Sequence, residues 1–217
     1  SPPEIVHMSK LSRIEPKSTL ERLIKVGLGS LPGGGAEILV DRVRKKVSPK
    51  KGSSRSWLKI MESAHELGLK TSATMMFGHI ESLRDRIKHL KKVRDLQDKT
   101  GGFTAFIPWT FQTKNTKLAE TFQIAPVGAH EYLKTLAVSR LFLDNFRNIQ
   151  GSWVTQGPKI GQLSLLFGAN DLGSIMIEEN VVAAAGCSFK IQESEMRHLI
   201  EDADLIPKKR DQFYNYL

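Results

Sequence analysis

The chain has 217 residues, 40% hydrophobic and 25% charged, with a formal net charge of +9 and one cysteine. That length is enough for one large domain with a substantial core, and no run approaches the ~20 apolar residues of a membrane helix. Cys187 stands alone, which excludes an internal disulfide and any multi-cysteine metal site carried by this chain by itself.

Ser1-Pro2-Pro3-Glu4 lacks the basic region and apolar core of a signal peptide, so a cytoplasmic protein is expected. The same four residues read as an N-cap with proline in the first turn of a helix whose apolar face carries Ile5, Val6 and Met8. A strand–helix protein that opens on a helix leads to the expectation that upstream sequence has been removed or is encoded separately. Arg13 to Lys17 is a polar break. Ser18-Thr19-Leu20-Glu21 then has capping-box spacing, before a stripe of Leu20, Leu23 and Ile24 that ends at Gly27.

Leu28 to Leu31 reads as a short strand that runs into Leu31-Pro32-Gly33-Gly34-Gly35-Ala36-Glu37-Ile38-Leu39. Three glycines allow positive φ and close backbone approach, so the turn can wrap a small molecule and aim amide N–H groups at it. Ala36 to Val43 reads as the opening of a helix. That places the Glu37 carboxylate at a helix start, where the dipole favours it and where it can accept from a sugar or an amine. A plain strand-to-helix turn accounts for the same residues. Arg42, Arg44, Lys45, Lys46, Lys50, Lys51 and Arg55 form a basic run that can bind nucleic acid or a phosphorylated ligand. Only Trp57 is interleaved with it, which argues against nucleic acid and for a solvated helix end.

Ser54 or Ser56 starts the next helix, with Trp57, Ile60, Met61, Ala64 and Leu67 inward and Gly68 as its C-cap. Leu69 to Phe77 is a strand, and Gly78-His79-Ile80-Glu81-Ser82 is its rim loop. A helix burying Ile87, Leu90, Val93 and Leu96 is broken by Gly101-Gly102. Phe103 to Trp109 is a third strand, followed by a long polar loop with Thr110, Gln112, Thr113 and Asn115. A helix from about Val127 to Asn145 turns Tyr132, Leu133, Leu136, Val138 and Leu141 inward. Ile149 to Gln156 reads as a fourth strand centred on Trp153, and a helix ending at Phe167 buries Ile160, Leu163 and Leu166. Gly168-Ala169-Asn170-Asp171-Leu172-Gly173-Ser174 is a second glycine-and-carboxylate stretch, with a fifth strand around Leu172 before Glu178-Glu179-Asn180. The last helix, Glu193 to Ala203, buries Met196, Leu199 and Ile200, and the tail from Pro207 to Leu217 is basic and then aromatic, docked or frayed. Met75, Met76 and Trp153 read as core, and Cys187 as a small buried apolar residue.

Strands alternating with helices imply parallel βαβ units. About five such units, against the eight strands and ~250 residues of a closed barrel, make residues 1–205 the C-terminal part of a (β/α)8 TIM-type barrel with about three units absent, and 206–217 a tail. A shorter doubly wound sheet is the alternative. Alone, the strands would leave open edges.

SPPEIVHMSK, LPGGGAEIL, TSATMMFGHIES, FTAFIPWTFQ, GSWVTQGP and FGANDLGSIMIEENVVAAAG, in that order over nearly the whole chain, resemble the cyclic dehypoxanthinyl futalosine synthase family of radical S-adenosylmethionine (SAM) enzymes, of the futalosine route to menaquinone. Two related families, aminofutalosine synthase and the two-part enzyme that makes the deazaflavin chromophore, share the likeness, with the SPPE start and IPWTFQ nearer to the first. The resemblance implies a radical SAM barrel, a nucleoside substrate, and a 4Fe–4S cluster held by a CxxxCxxC triad. It also implies S-adenosylmethionine on the fourth iron and an electron donor such as flavodoxin or ferredoxin. A deoxyadenosyl radical takes a ribose hydrogen from dehypoxanthinyl futalosine, and the sugar radical goes on to the cyclic spiro product.

This chain departs from the family in having no CxxxCxxC, so the cluster and the radical are not supplied by these residues, and no catalytic residue or metal ligand is assigned within them. By the family layout it begins just after the third strand. Ser174-Ile175 also stands where the family usually has Ser-Thr, which removes a hydroxyl at a rim position. Carried over residue by residue, Gly33, Gly34, Gly35 and Glu37 would lie near the cofactor ribose or substrate sugar. Gly78, His79 and Ile80 match the adenine-contacting strand end. Thr110 and Gln112 would hydrogen-bond the substrate, and Asn170 and Asp171 would face the pocket mouth. The competing reading is a catalytically inactive remnant or a basic nucleotide-binding scaffold. A cluster-free lyase would need a paired constellation at the strand ends that the sequence does not supply.

Overall fold

Proline has no amide to lose in the first turn of a helix, and among the described residues three α-helices start on it. In the computed structural model, which describes residues 1–175, 180–186 and 188–217, α1 (Pro2–Ser12) is capped by Ser1 with Glu4 reaching back, and Arg13 closes it in the left-handed conformation. α2 (Pro16–Lys25) starts at Pro16 with Glu15 as N-cap. The expected capping box at Ser18 to Glu21 therefore lies inside the helix. The Thr19 hydroxyl there turns back to the Glu15 carbonyl and to Ser9 Oγ at 2.8 Å, instead of capping.

The remaining elements in order are β1 (Ser30–Leu31), α3 (Asp41–Val47), α4 (Ser54–Glu66), β2 (Lys70–Phe77), α5 (Leu83–Thr100), β3 (Phe103–Thr110), α6 (Lys117–Phe122), α7 (Ala129–Phe142), β4 (Asn148–Ile149), α8 (Trp153–Gln156), α9 (Pro158–Leu166), α10 (Val181–Ala184) and α11 (Glu193–Glu201). The strands form one four-stranded parallel sheet in the order β1-β2-β3-β4, with Ser30 opposite Lys70 and Leu31 opposite Thr71. Strand order follows chain order throughout. A doubly wound sheet reverses direction at a switch point, so this progression is that of a barrel wall. The expected fifth strand is reduced to a single parallel bridge between Gln150 and Asp171.

Packing divides the chain into two units: residues 1–75, 81–106 and 145–147, and residues 76–80, 107–144 and 148–217. In the first, Trp57, Ile60, Met61 and Ala64 of α4 and Leu90, Val93 and Leu96 of α5 are buried, with Trp57 and Phe146 both stacked near Phe103. Ile87, expected inward, is exposed. Its place on the inner face of α5 is taken by Asp85, held by the Ser82 cap and Arg42, and by His89. Arg44, expected in a solvated basic run, is buried. Its guanidinium donates to the carbonyls of Gly35, Ala36, Lys51 and Gly52.

In the second unit Phe77 stacks on Tyr132, whose hydroxyl accepts from the Ser152 amide at 2.6 Å. Trp153, Leu172 and Ile191 form a buried cluster against which Met196, Leu199 and Ile200 pack. Trp153 is core as expected but stands on α8, because the fourth strand ends at Ile149 rather than Gln156. On α9 the inner face is Gly161 and Ser164, and Leu163 and Leu166 point outward. A Cβ on Gly161 would sit 2.7 Å from Trp153 Cβ and 3.4 Å from its Cα, so α9 runs close against α8 at a position where only glycine fits. Val138 and Leu141 of α7 are likewise exposed.

Two stability tests follow. Arg44→Met keeps the apolar stem but leaves four carbonyls without their cation, and is expected to lower unfolding stability by about 3–5 kcal/mol in urea melts. A loss below 1 kcal/mol would contradict the role given to Arg44. The second test concerns His89, whose Nδ1 accepts from the Leu39 amide at 3.0 Å. Burial pushes its pKa down to about 3, and that of His65 down to about 4. Unfolded histidine titrates near 6.5, so below that pH the unfolded chain binds more protons than the folded one. Stability should thus be complete above about pH 6.5 and fall toward pH 4 by ~1.4 kcal/mol per pH unit per histidine. His89→Gln, which keeps an acceptor for Leu39, should make the profile shallower.

Candidate functional site

Thr110 is the last residue of β3 and is buried. Pairing continues one residue past the strand, where the Phe111 amide donates to the Phe77 carbonyl at 2.8 Å. The next residue after Phe77 is Gly78, at φ +83°, where a Cβ would fall 2.0 Å from Val127 Cγ2. Only glycine lets that wall close on the strand end. The Thr110 hydroxyl accepts from Gln156 Nε2 at 2.6 Å and from Gln112 Nε2 at 3.0 Å, and Gln112 Nε2 also reaches the Thr110 carbonyl at 3.0 Å. One threonine thereby positions two carboxamides.

These three residues line a cleft of about 360 Å³, together with Lys114, Val127 and Phe189 among others. No carboxylate or histidine occurs among the described residues of its wall. Such a lining can read the hydrogen-bonding pattern of a polar heterocycle or sugar. It offers no acid–base pair for proton transfer.

The structure brings Thr110 and Gln112 together on this cleft and leaves the other sequence-derived candidates off its wall. His79 folds back on its own loop: Nδ1 accepts from the Ile80 amide at 2.8 Å and Nε2 faces the Met76 carbonyl at 3.1 Å. Asn170 Oδ1 accepts from the Ile149 amide at 2.9 Å and from Arg140, and its Nδ2 donates to Asn148 at 3.1 Å. Asp171 accepts from Arg210 Nη2 at 2.6 Å and Nε at 3.1 Å, from the Tyr214 hydroxyl at 2.7 Å, and from the Gly173 amide at 3.1 Å. The tail is therefore docked, and Asp171 is its anchor. Ile175 is exposed, while Glu178, Glu179 and Cys187 lie outside the described residues.

In the first unit the glycine turn is wired to its neighbours. Gly33 donates to Ser72 Oγ at 3.0 Å and accepts from Thr74 Oγ1 at 2.8 Å. A Cβ on Gly33 would lie 2.3 Å from the Ser72 carbonyl, and one on Gly35 2.4 Å from Pro3. Close packing thus explains two of the three glycines. Trp57 Nε1 donates to the Gly34 carbonyl at 3.3 Å. Glu37 does not sit at a helix start. It is buried at φ +45°, paired with Lys51, and α3 opens at Asp41. The reason is that Ala36, Ile38 and Leu39 are all buried, while Arg44 takes the Gly35 and Ala36 carbonyls that a helix would have given to its own amides. Leu39 is held at both ends by α5, through His89 at its amide and Lys92 at its carbonyl.

Gln156, Lys114 and Phe189 were not singled out by sequence reasoning. Gln156 lay in what read as a strand, although it belongs to the GSWVTQGP segment. Among the described residues no group of three or more His, Cys, Asp or Glu is placed to hold a metal, and no helix is long and apolar enough to cross a membrane.

A family model described as the CofH/MqnC C-terminal region matches residues 100–217. The cyclic dehypoxanthine futalosine synthase of Streptomyces coelicolor is 45% identical over 214 residues, which cover 99% of this chain and 53% of that protein. The aminodeoxyfutalosine synthase of Thermus thermophilus is 42% identical, over 97% of this chain and 58% of that protein. The chain thus spans somewhat more than half the length of these relatives. Among solved structures, HydG, a maturase of the [FeFe]-hydrogenase, superposes with a TM-score of 0.65 at 19% identity, over 86% of this chain and 42% of that one. That likeness is one of fold, and with the sequential parallel sheet it makes this an α/β chain forming part of a TIM-type barrel.

Asp171→Asn removes the charge that Arg210 and Tyr214 share. We expect a loss of about 1–3 kcal/mol in stability and faster tryptic cleavage at Lys208 and Lys209. A tail that stays equally resistant in the variant would contradict the anchor.

Proposed function

Because the chain belongs to the family of the CofH/MqnC C-terminal region, we propose that it is the substrate-side portion of a radical SAM enzyme that cyclises dehypoxanthine futalosine in menaquinone biosynthesis. One observation supports this most directly. The cleft at the end of β3 combines a positioned hydroxyl and two carboxamides with no acid–base pair, which suits a substrate that must be oriented rather than deprotonated. In this reading Thr110 is a positioning residue, and Gln112 and Gln156 contact the nucleoside. Asn170 and Asp171 support the rim, through β4 and the tail respectively.

A 4Fe–4S cluster is held by cysteine thiolates, and this chain has a single cysteine. Its donor set does not fit the cluster, so the residues named here bind and orient substrate, and the radical originates on residues other than these. S-adenosylmethionine, the source of that radical in the family, is assigned by resemblance to Gly33, Gly34, Gly35 and Glu37, and to Gly78, His79 and Ile80. The same resemblance implies a flavodoxin or ferredoxin as reductant.

A chimera tests the reading: this chain in place of the matching portion of the Streptomyces coelicolor relative, reconstituted anaerobically and given dehypoxanthine futalosine. Formation of the cyclic product is expected. Thr110→Val and Gln156→Leu should each raise KM roughly tenfold with a smaller change in kcat, as loss of ground-state binding contacts does. A folded, cluster-loaded chimera that releases deoxyadenosine but never the cyclic product would overturn the assignment.

A further inference from the structure

We propose that the outer face shared by α7 and α9 is a dimer interface, and that its occupant is the same face of a second copy of this chain. The inference is separate from the reading of the cleft, whose described wall takes no residue from either helix.

Both helices carry an apolar stripe on the outside. Leu163 and Leu166 of α9, with Phe167 just past its end, recur at i, i+3 and i+4 and are exposed, while Gly161 and Ser164 face inward. On α7, Val138 and Leu141 are three apart and exposed, while Tyr132, Leu133 and Leu136 are buried. A surface helix ordinarily turns such a stripe to its own core. Here the inward positions are already filled, with Ser164 against Gly151 and Tyr132 stacked on Phe77. The outer stripe is therefore left facing solvent.

The two stripes form one surface. Arg140 joins the C-terminal ends of the helices: its Nε donates to the Gly168 carbonyl at 2.6 Å and its Nη2 to Asn170 Oδ1 at 2.8 Å. Gly168, at φ +104°, has no Cβ, and one built there would lie 2.7 Å from Arg140 Cβ. Leu141 follows Arg140 and Phe167 precedes Gly168, so this close contact brings the stripes together before any partner arrives. A face formed in advance loses little on binding.

Size and orientation select the occupant. The five side chains range from 37% exposed at Val138 to 82% at Leu141. At ~170 Å² for a fully exposed residue of this size, they open roughly 450 Å² of apolar surface, and contiguous patches of more than a few hundred Å² mark interaction sites. A dimer of standard size takes about 800 Å² from each copy, ~65% of it apolar. The patch supplies most of that apolar share. Lys134 and Lys159, exposed on the same two helices, add aliphatic stems and a charged rim. An isologous contact sets the patch against itself and needs no second apolar surface. Strands that extend a sheet add at its edges, whereas this face is turned away from the sheet.

Sedimentation of the 217-residue chain between about 1 and 100 µM tests the proposal. A dimer is expected at the upper end of that range. Leu141→Glu and Leu166→Glu should each raise the dissociation constant at least ~30-fold, as loss of a central interface residue does, with unchanged far-UV circular dichroism verifying that the variants fold. Ile87→Glu replaces an exposed apolar residue on α5 and should leave the constant within about twofold. A chain that is monomeric throughout would overturn the proposal. So would association that survives both leucine substitutions, as pairing along the edge of β1 would, and so would an equal loss in Ile87→Glu, the mark of unspecific adhesion. The readout is mass rather than turnover, so this proposal and the reaction assignment fail separately.

Discussion

A buried carbonyl must find a donor, and the segment after β1 meets that requirement with one side chain. Arg44 reaches back from α3 and closes on four backbone oxygens on both sides of it, at Gly35 and Ala36 and at Lys51 and Gly52. That fork keeps residues 36–40 out of a helix, allows Ile38 and Leu39 to be buried, and fixes where α3 begins. The same requirement is met elsewhere by other side chains at strand ends. Gln97 serves both backbone groups of Phe103, Gln112 serves the Thr110 carbonyl, and Asn170 the Ile149 amide. In each case a long polar residue carries out what a further strand or helix turn would have done.

The alternation of strands and helices was legible because it rests on elements long enough to show their period: β2, α5, β3 and the body of α7. Boundaries were legible where a cap is chemical, as at Ser1 with Pro2 and at Ser82. The misreadings came where tertiary packing reverses a local preference. Leucines at helical spacing on α9 suggested a buried stripe, yet Gly161 and Ser164 face inward, Gly161 close against Trp153 Cβ and Ser164 against Gly151, while Leu163 and Leu166 are exposed. Ile87 lost the inner face of α5 to His89 and Asp85, two polar residues that periodicity reads as surface. They are tolerated inside because His89 Nδ1 has the Leu39 amide and Asp85 has Ser82 and Arg42. No pattern of apolar residues encodes those partners, which lie 50 and 43 residues away in the cases of Leu39 and Arg42.

The site divides in the same way. Thr110 and Gln112 were legible as polar residues just past a strand of clear period, the place where parallel α/β proteins carry function. Gln156 was hidden because Trp153, Val154 and Thr155 read as strand, and its role appears only once α8 turns it toward Thr110. Asp171 was read as facing the pocket mouth, whereas its carboxylate holds Arg210 and Tyr214, from a tail whose sequence carries no periodic signal. An acidic residue beside a glycine is equally good as a ligand group and as an anchor. What decides between them is which cations fold back onto it.

The distribution of chemistry over the chain gives the division its logic. Acid–base catalysis needs a titratable pair within hydrogen-bonding reach of the reacting atoms. Here the groups with depressed or raised pKa values sit in structural roles: His89 is buried and His65 half-buried, each held neutral by desolvation, Tyr132 is pushed up to about 12 by its burial, and Asp41 is lowered by hydrogen bonds from Ser54. None of them lines the cleft. The residues that do are hydroxyl, carboxamide, ammonium and ring. If the proposed function holds, a reaction begun by an abstracted hydrogen atom asks of such a wall that it hold one bond at one distance and keep out competing donors. Amides held by a buried threonine do this without lending a proton, whereas a carboxylate or imidazole at the same place would bring its own reactivity. A wall whose described residues carry an ammonium but neither carboxylate nor imidazole is what the proposed orienting role requires.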